Sequence, residues 1–283
     1  MRMRMRMREA ARVTGPESAW RERGLLFNTA AQDYLDGRPG YPPQVFGLLR
    51  NRFGLRDGSC VLEVGPGTGQ ATLPILSAGA GVTAVEPGPA LAEALLARAD
   101  SAQLRVMVNR FEDVELAPRS FDLVVSATAF HWVDPTIGFA KAARLLRPGG
   151  WLVVWWTVWG RTDGHDVLHE RLVPLLAQKA PHLLQQGAAA SPYAEAVEDR
   201  YADIDQTGLF EPVEHHVIDW SAHHNAIQAR ALFASFSPWL ALPAPLRSEL
   251  LVDIEQLVRS EFNDDVEREY RTVMYAARRR QDP

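Results

Sequence analysis

Five short apolar runs, spaced 20 to 30 residues apart, constrain this chain more than any other feature of its sequence. They read "CVLEV" (60–64), "VTAVE" (82–86), "LRVMV" (104–108), "FDLVVSA" (121–127) and "WLVVWWT" (151–157). Helical patterns lie between several of them, over 71–78, 90–99 and 137–146. Runs this apolar and this rich in β-branched residues suit strands buried on both faces, with the helices as βαβ crossovers. The pattern predicts an α/β fold built on a parallel sheet.

The flanks read differently. Residues 17–35 have a helical pattern, "DGRPGYPP" (36–43) interrupts it with glycine and proline, and a helix follows to about Phe53. Downstream, 165–186 reads as helical, "EPVEHHVIDW" (211–220) alternates like a strand, and "REYRTVMYAARR" (268–279) alternates again. Between those two strands, 225–262 is mostly helical and too long for an ordinary loop, which predicts a lid over a pocket. The organisation expected is a disordered tail over 1–16, cover helices and a ligand-binding core over 17–160, helices and lid with one strand over 161–267, and a terminal strand and tail over 268–283.

With 283 residues, 47% of them hydrophobic, the chain has ample material for one large domain or a domain plus a sub-domain. A net charge of -5 gives no general attraction to nucleic acid or anionic membrane. The single cysteine, Cys60, cannot form an internal disulfide, which fits a reducing cytoplasm. No window approaches the ~18 apolar residues of a membrane helix. The opening "MRMRMRMREAAR" lacks the apolar core of a signal peptide and reads as a disordered tail, a misplaced start codon or a basic arm for an acidic partner. In the pairs His215–His216 and His223–His224, neighbours on a strand point apart and no nearby carboxylate completes a set, so no metal site is expected.

"VLEVGPGTGQ" (61–70) runs from an apolar strand carrying Glu63 through Gly65, Gly67 and Gly69 into a helix. Glycines allow unusual dihedrals and let a ligand approach the backbone without meeting a Cβ. The alternative is simply a tight strand-to-helix turn. Position six of a dinucleotide fingerprint is Gln70, which departs from the NAD pattern. No lysine or hydroxyl residue follows the glycines as in a P-loop. Glu86 ends the second strand, where a carboxylate can accept both hydroxyls of a ribose.

Together these residues resemble the first two motifs of class I S-adenosylmethionine-dependent methyltransferases. "NRFEDVELAPRSFDLVVSATAFHW" resembles that family's third-strand loop and fourth strand, and "AARLLRPGGWLVV" its fifth strand. "FNTAAQDYLDGRPGYPP" resembles the N-terminal segment of the small-molecule branch related to trans-aconitate methyltransferase. The resemblance implies a Rossmann-like seven-stranded mixed sheet with its last strand antiparallel, helices on both faces and a helical lid. It implies S-adenosylmethionine as cofactor, S-adenosylhomocysteine as product, and a small-molecule acceptor with no nucleic-acid or membrane partner. The protein is expected to be a monomer or homodimer.

By the same resemblance, Gly65, Gly67 and Gly69 pack beneath the methionine and ribose, with Glu63 near the methionine amino group. Glu86 takes the ribose hydroxyls, Pro87 and the backbone of Phe111 lie by the adenine, and Ala127 ends the fourth strand beside the cofactor. Where the family often has a small polar or acidic residue, this chain has Arg110, which cannot accept a hydrogen bond from the adenine amino group. Tyr34 and Arg38 either close over the methionine end or are ordinary helix-end residues.

"SATAF" (126–130) stands where enzymes methylating nucleic-acid bases or glutamine amides often carry Asn/Asp-Pro-Pro-Tyr, which argues for another acceptor. Oxygen on a carboxylate or hydroxyl is the favoured nucleophile; carbon and nitrogen stay open. His131, just beyond the fourth strand, is the candidate general base, a pocket-lining residue or a structural one. Phe130, His131, Trp132, Trp155, Trp159 and Trp239 are the candidate acceptor pocket. Of the adjacent Trp155 and Trp156, at least one must face the core. The alternatives are an RNA or protein methyltransferase and a protein of this fold that binds the cofactor without transferring methyl.

Overall fold

The structure is a computed structural model describing residues 31–159, 166–185 and 193–281; the tail, the first part of the helix expected over 17–35 (residues 17–30), the segments 160–165 and 186–192, and residues 282–283 lie outside the described residues. In chain order its elements are α1 (Ala31–Gly37), α2 (Pro43–Asn51), β1 (Cys60–Val64), α3 (Thr72–Ser77), β2 (Gly81–Glu86), α4 (Pro89–Arg98), β3 (Leu104–Val108), β4 (Phe121–Ala127), α5 (Pro135–Leu145) and β5 (Leu146–Trp159). There follow α6 (Val167–Lys179), α7 (Pro181–Gln185), α8 (Val197–Asp205), β6 (Glu214–His224), α9 (Ala226–Ala234), α10 (Ser237–Leu240), α11 (Ala244–Glu261) and β7 (Val266–Arg278).

The seven strands form one sheet in the order β3-β2-β1-β4-β5-β7-β6. β1 to β5 pair parallel, while β7 is antiparallel to both β5 and β6. This is the seven-stranded mixed Rossmann-like sheet that the family resemblance implies, and the five apolar runs supply its parallel strands. The strand order reverses between β1 and β4, so their carboxyl ends diverge and leave the crevice where open α/β sheets bind ligands.

Strand parity divides the core into two layers. Val61, Leu123, Val125, Val153 and Trp155 face α2 and the helices beside it, packing on Val45, Leu49, Ile75 and Leu95. Leu62, Val64, Val124, Val154 and Trp156 face the other way, against Phe139, Ala142 and Leu145 of α5. A third cluster joins α6 and the lid, with Leu168, Leu172 and Leu176 against Phe233, Trp239, Leu250 and Ile254.

Proline explains most shifts of element boundaries from the sequence reading. β6 starts after Pro212, which has no N–H for the ladder, and continues to His224 because β7 offers partners back to Val266. The helical stretch 225–262 breaks into three: Pro238 sits in the first turn of α10 and Pro245 in that of α11. α9 opens with a capping box, in which Gln228 N–H donates to Asn225 Oδ1 and Asn225 N–H to Gln228 Oε1.

Candidate functional site

A cavity of about 860 Å³ lies over the carboxyl ends of β1, β2 and β4. Its floor includes Val64, Gly65, Gly67, Val85, Glu86, Pro87, Ala127 and Thr128, and Arg110 and Phe111 form one wall. Its cover comes from Tyr34 and Arg38 on and after α1 and from Phe233, Phe236 and Trp239 in the lid. His131, Trp132, His169 and Arg268 complete the side away from Pro87.

The glycine turn owes its path to its sequence. Gly65 has φ 69°, and a Cβ there would lie 2.4 Å from that of Ala129, so no side chain fits. Gly67, at φ 56°, bares its backbone beneath the Tyr34 ring. Gly69 is different: it does not line the cavity, and a Cβ there would press to 2.6 Å on Leu95 of α4. It serves helix packing, the role of the third glycine in dinucleotide turns.

Glu86 locks that turn to the second strand. Its Oε2 accepts from Gly67 N–H at 3.0 Å and its Oε1 from Gly88 N–H at 2.9 Å. Burial raises its pKa, and the two backbone donors pull the other way without reversing the shift. Each oxygen keeps a lone pair for a further donor, as a pair of ribose hydroxyls requires.

The resemblance puts Glu63 near the methionine amino group, but in the structure Glu63 does not line the cavity. It is fully buried beneath the turn, where its Oε2 accepts from the Thr72 hydroxyl at 2.6 Å. Its Oε1 has no partner among the described residues. Burial, opposed by the Thr72 hydroxyl and helped by the charge on Glu86, pushes its pKa up to about 7.

Tyr34 and Arg38 both reach the cavity. The Arg38 Nε donates to Ser235 Oγ at 2.8 Å and Nη2 to the Ser235 carbonyl at 3.2 Å, tying α1 to the end of α9. Arg110 is held by Glu112 at 2.8 Å and faces Asp113 at 3.9 Å. Glu112 and Asp113, the two partners of Arg110, also line the cavity.

His131 lies on the short turn after β4, and its Nδ1 accepts from the Trp156 indole Nε1 at 2.9 Å. Indole only donates, so the neutral imidazole carries its proton on Nε2. Burial, then the charges of Arg200 and Arg38, lower the His131 pKa to about 4. The ring thus meets the cavity as a neutral hydrogen-bond donor. This disfavours its role as a general base, because the only lone pair is occupied and the group holds a proton weakly.

The expected aromatic pocket is only partly assembled. Trp132 and Trp239 line the cavity. Phe130 does not: it packs in the core with its ring centre 4.8 Å from that of Phe139. Trp155 does not either, because its parity turns it to the α2 face, where it is fully buried and meets Tyr41 edge-on at 5.5 Å. Its neighbour Trp156 is the one that serves the site, through His131. The Trp159 side chain lies outside the described residues. The four conspicuous histidines have structural partners: His215 stacks on Tyr275, His216 meets Phe53 edge-on, His223 bonds Asp265 and His224 bonds Tyr270.

Sequence reasoning missed Arg268, Phe233 and Phe236 on the cavity wall. For Arg268 the signal was present: it shares strand parity with Val266 and Tyr270, the inward face of β7.

The methyltransferase domain family matches residues 62–154. An uncharacterised methyltransferase of Mycobacterium tuberculosis is 31% identical over 238 residues, covering 84% of this chain and 87% of the relative. Another from Schizosaccharomyces pombe is 24% identical, covering 90% and 97%. Among solved structures, a candidate type II methyltransferase from Anaeromyxobacter dehalogenans superposes with TM-score 0.61 at 22% identity, covering 87% of this chain and 99% of that one. Phosphoethanolamine N-methyltransferase 2 of Haemonchus contortus, bound to phosphomonomethylethanolamine and S-adenosylhomocysteine, gives 0.53 at 18% identity, covering 90% and 58%.

S-Adenosylmethionine suits the donors and acceptors on this floor. Its ribose hydroxyls match the spare lone pairs of Glu86, and its adenine the apolar wall at Val85, Leu91 and Phe111. With a relative that similar over most of both chains, descent and chemistry agree: the chain belongs to the class I S-adenosylmethionine-dependent methyltransferases.

Proposed function

We propose that this enzyme methylates a small molecule at oxygen, and that it acts in the cytoplasm as a monomer or homodimer. Within the family we read it as a member of the small-molecule branch related to trans-aconitate methyltransferase. The observation that carries the reading is the Trp156–His131 hydrogen bond, which leaves an Nε2–H donor on the wall of a cavity covered by apolar lid residues.

When bound, S-adenosylmethionine supplies an electrophilic methyl group on a sulfonium centre. The chain's own work is to bind, orient and exclude water. Gly65 and Gly67 open the backbone to the ligand, Glu86 accepts the ribose hydroxyls, and Tyr34 covers the turn. Phe233, Phe236 and Trp239 keep water from the acceptor side. The Nε2–H of His131 holds one lone pair of the acceptor. An oxygen so held keeps another lone pair for attack, whereas an amine would surrender its only one. That asymmetry supports oxygen over nitrogen.

Incubation of the protein with methyl-labelled cofactor and fractionated cell extract tests the reading. Label is expected in the small-molecule fraction; as a carboxylate ester it would be released as methanol by alkali. Label confined to RNA or protein rejects the small-molecule reading, and alkali-stable label on nitrogen rejects oxygen.

A further inference from the structure

Left-handed backbone is usually left to glycine. Among the described residues, four others adopt it: Arg119, Thr128, Asn263 and Asp264. Asn263 and Asp264 follow the end of α11, and short polar side chains of this kind tolerate the region. Arg119 sits in the exposed turn before β4. Thr128 is of another kind: it is β-branched, its φ is 57°, and it lines the cavity. A branched Cβ crowds the backbone there, so the conformation persists only where neighbours enforce it.

Two neighbours do. Thr128 N–H donates to the Trp155 carbonyl at 2.7 Å, which carries the β4–β5 ladder one residue past Ala127. Thr128 Oγ1 lies 3.0 Å from the Tyr41 hydroxyl and hydrogen-bonds to it. Tyr41 belongs to "RPGYPP", between α1 and α2, and the proline after it favours an extended backbone. Its ring meets Trp155 edge-on at 5.5 Å, so the residue that takes the Thr128 N–H also seats Tyr41. Burial pushes the Tyr41 phenol above its ordinary pKa, and the bond joins two neutral hydroxyls.

Past Thr128 the chain turns sharply. Ala129 packs against Gly65, its Cβ 2.4 Å from where a Cβ on Gly65 would stand. Phe130 then enters the core beside Phe139, and His131 meets the Trp156 indole. Thr128 is thus the joint between the glycine turn and the turn that carries His131.

We propose that Thr128 is a positioning residue for methyl transfer: its left-handed backbone, clamped by Tyr41, sets the distance between the glycine turn and the His131 imidazole. It acts through Ala129 and His131 and not by touching the reacting atoms. Glycine would meet the backbone demand without steric cost, so the backbone alone does not call for threonine. What threonine adds is the hydroxyl, and with it a tie to the segment that joins the cover helices. The inference rests on the methyltransferase reading of the same cavity.

The test supplies full-length enzyme with methyl-labelled S-adenosylmethionine and the small-molecule fraction of cell extract that takes up label. Thermal melts, S-adenosylhomocysteine calorimetry and nitrogen-15 shifts of His131 accompany it. Thr128→Gly is expected to melt close to wild type, because relieved strain offsets the lost hydrogen bond. It should keep its S-adenosylhomocysteine affinity, yet lose about ten- to a hundredfold in kcat with KM for the fraction little changed. Its His131 shifts should show mixed tautomers. Tyr41→Phe should lose part of the same rate and add nothing in the Thr128→Gly background. Thr128→Asn tolerates the left-handed region and offers Tyr41 a polar partner, so it should recover most of the rate.

Unchanged kcat in Thr128→Gly overturns the proposal, as does a fall in rate that merely follows a fall in melting temperature. Weaker S-adenosylhomocysteine binding assigns Thr128 to the cofactor and overturns it too. A wild-type rate in Tyr41→Phe removes the clamp and with it the proposal. If wild type transfers no label, the methyltransferase reading fails instead, and the His131 shifts judge Thr128: wild-type shifts in Thr128→Gly overturn its role.

Discussion

The Trp156 indole donates to the His131 ring across 25 positions of sequence, at 2.9 Å, and thereby decides which imidazole nitrogen carries the proton. Nitrogen-15 shifts of the imidazole should report the Nε2–H form in wild type. Trp156→Phe removes the donor, so the two tautomers should mix and the His131 pKa should rise from about 4 while burial keeps it below 6.5. An Nδ1–H form in wild type would contradict the assignment.

His131→Gln should keep most of the turnover of the true acceptor, because the glutamine amide places a donor near the imidazole Nε2. His131→Ala should lower kcat/KM by about ten- to a hundredfold, the loss of a hydrogen bond to an anionic partner, with cofactor affinity nearly intact. A catalytic base would give the opposite contrast, with glutamine as damaging as alanine. It would also impose an acid limb on the rate near the imidazole pKa.

Glu86→Ala should weaken S-adenosylmethionine binding by about a hundredfold or more, measured by calorimetry, since it removes two charge-assisted hydroxyl contacts and unties Gly67 and Gly88. Glu86→Gln retains one acceptor oxygen and should lose less. Equal affinity in Glu86→Ala and wild type would remove the cofactor assignment of this carboxylate.

Acid should destabilise the fold between pH 6.5 and 4. His131 and His224 both take up protons near pH 4 when folded and near 6.5 when unfolded. The unfolded chain therefore binds more protons throughout that window, and stability falls as pH drops through it. Glu63 opposes them: its folded pKa of about 7 means that stability is lost as pH rises from about 4.5 to 7. Urea titrations should show His131→Gln losing less stability than wild type from pH 7 to 4.5, by on the order of 2 kcal/mol.

Gly37→Ala should disrupt the cover of the cavity. A Cβ at this position would lie 2.1 Å from the Leu232 backbone nitrogen, so α1 would be pushed off α9. Tyr34 and Arg38 move with α1, and cofactor affinity should fall more than global stability does; calorimetry beside thermal melts separates the two.

The central sheet and the glycine turn on the cavity floor are legible because their signals are local. Apolar runs report strands, and glycines followed by a strand-end carboxylate report a turn. The acceptor side was harder to read. Trp155 and Trp156 are adjacent, and only the register of β5 between β4 and β7 decides which faces His131. Phe130 looked like a wall residue by position, but the turn after β4 rotates it into the core beside Phe139. Arg268 carried a usable parity signal. Its partner Asp166 is 102 positions away and nothing local connects them.

The position of β7 also sets an order of assembly. As the chain leaves the ribosome, β1 to β5 and the cofactor floor can pair among themselves, whereas β6 has no neighbour in the sheet but β7. The far edge of β5 stays open until that strand arrives. The five parallel strands and the glycine turn can thus take shape about a hundred residues before the strand that completes the sheet. A chain stopped short of Val266 would keep those strands but leave β5 and β6 without their shared partner, their unpaired edges exposed to aggregation.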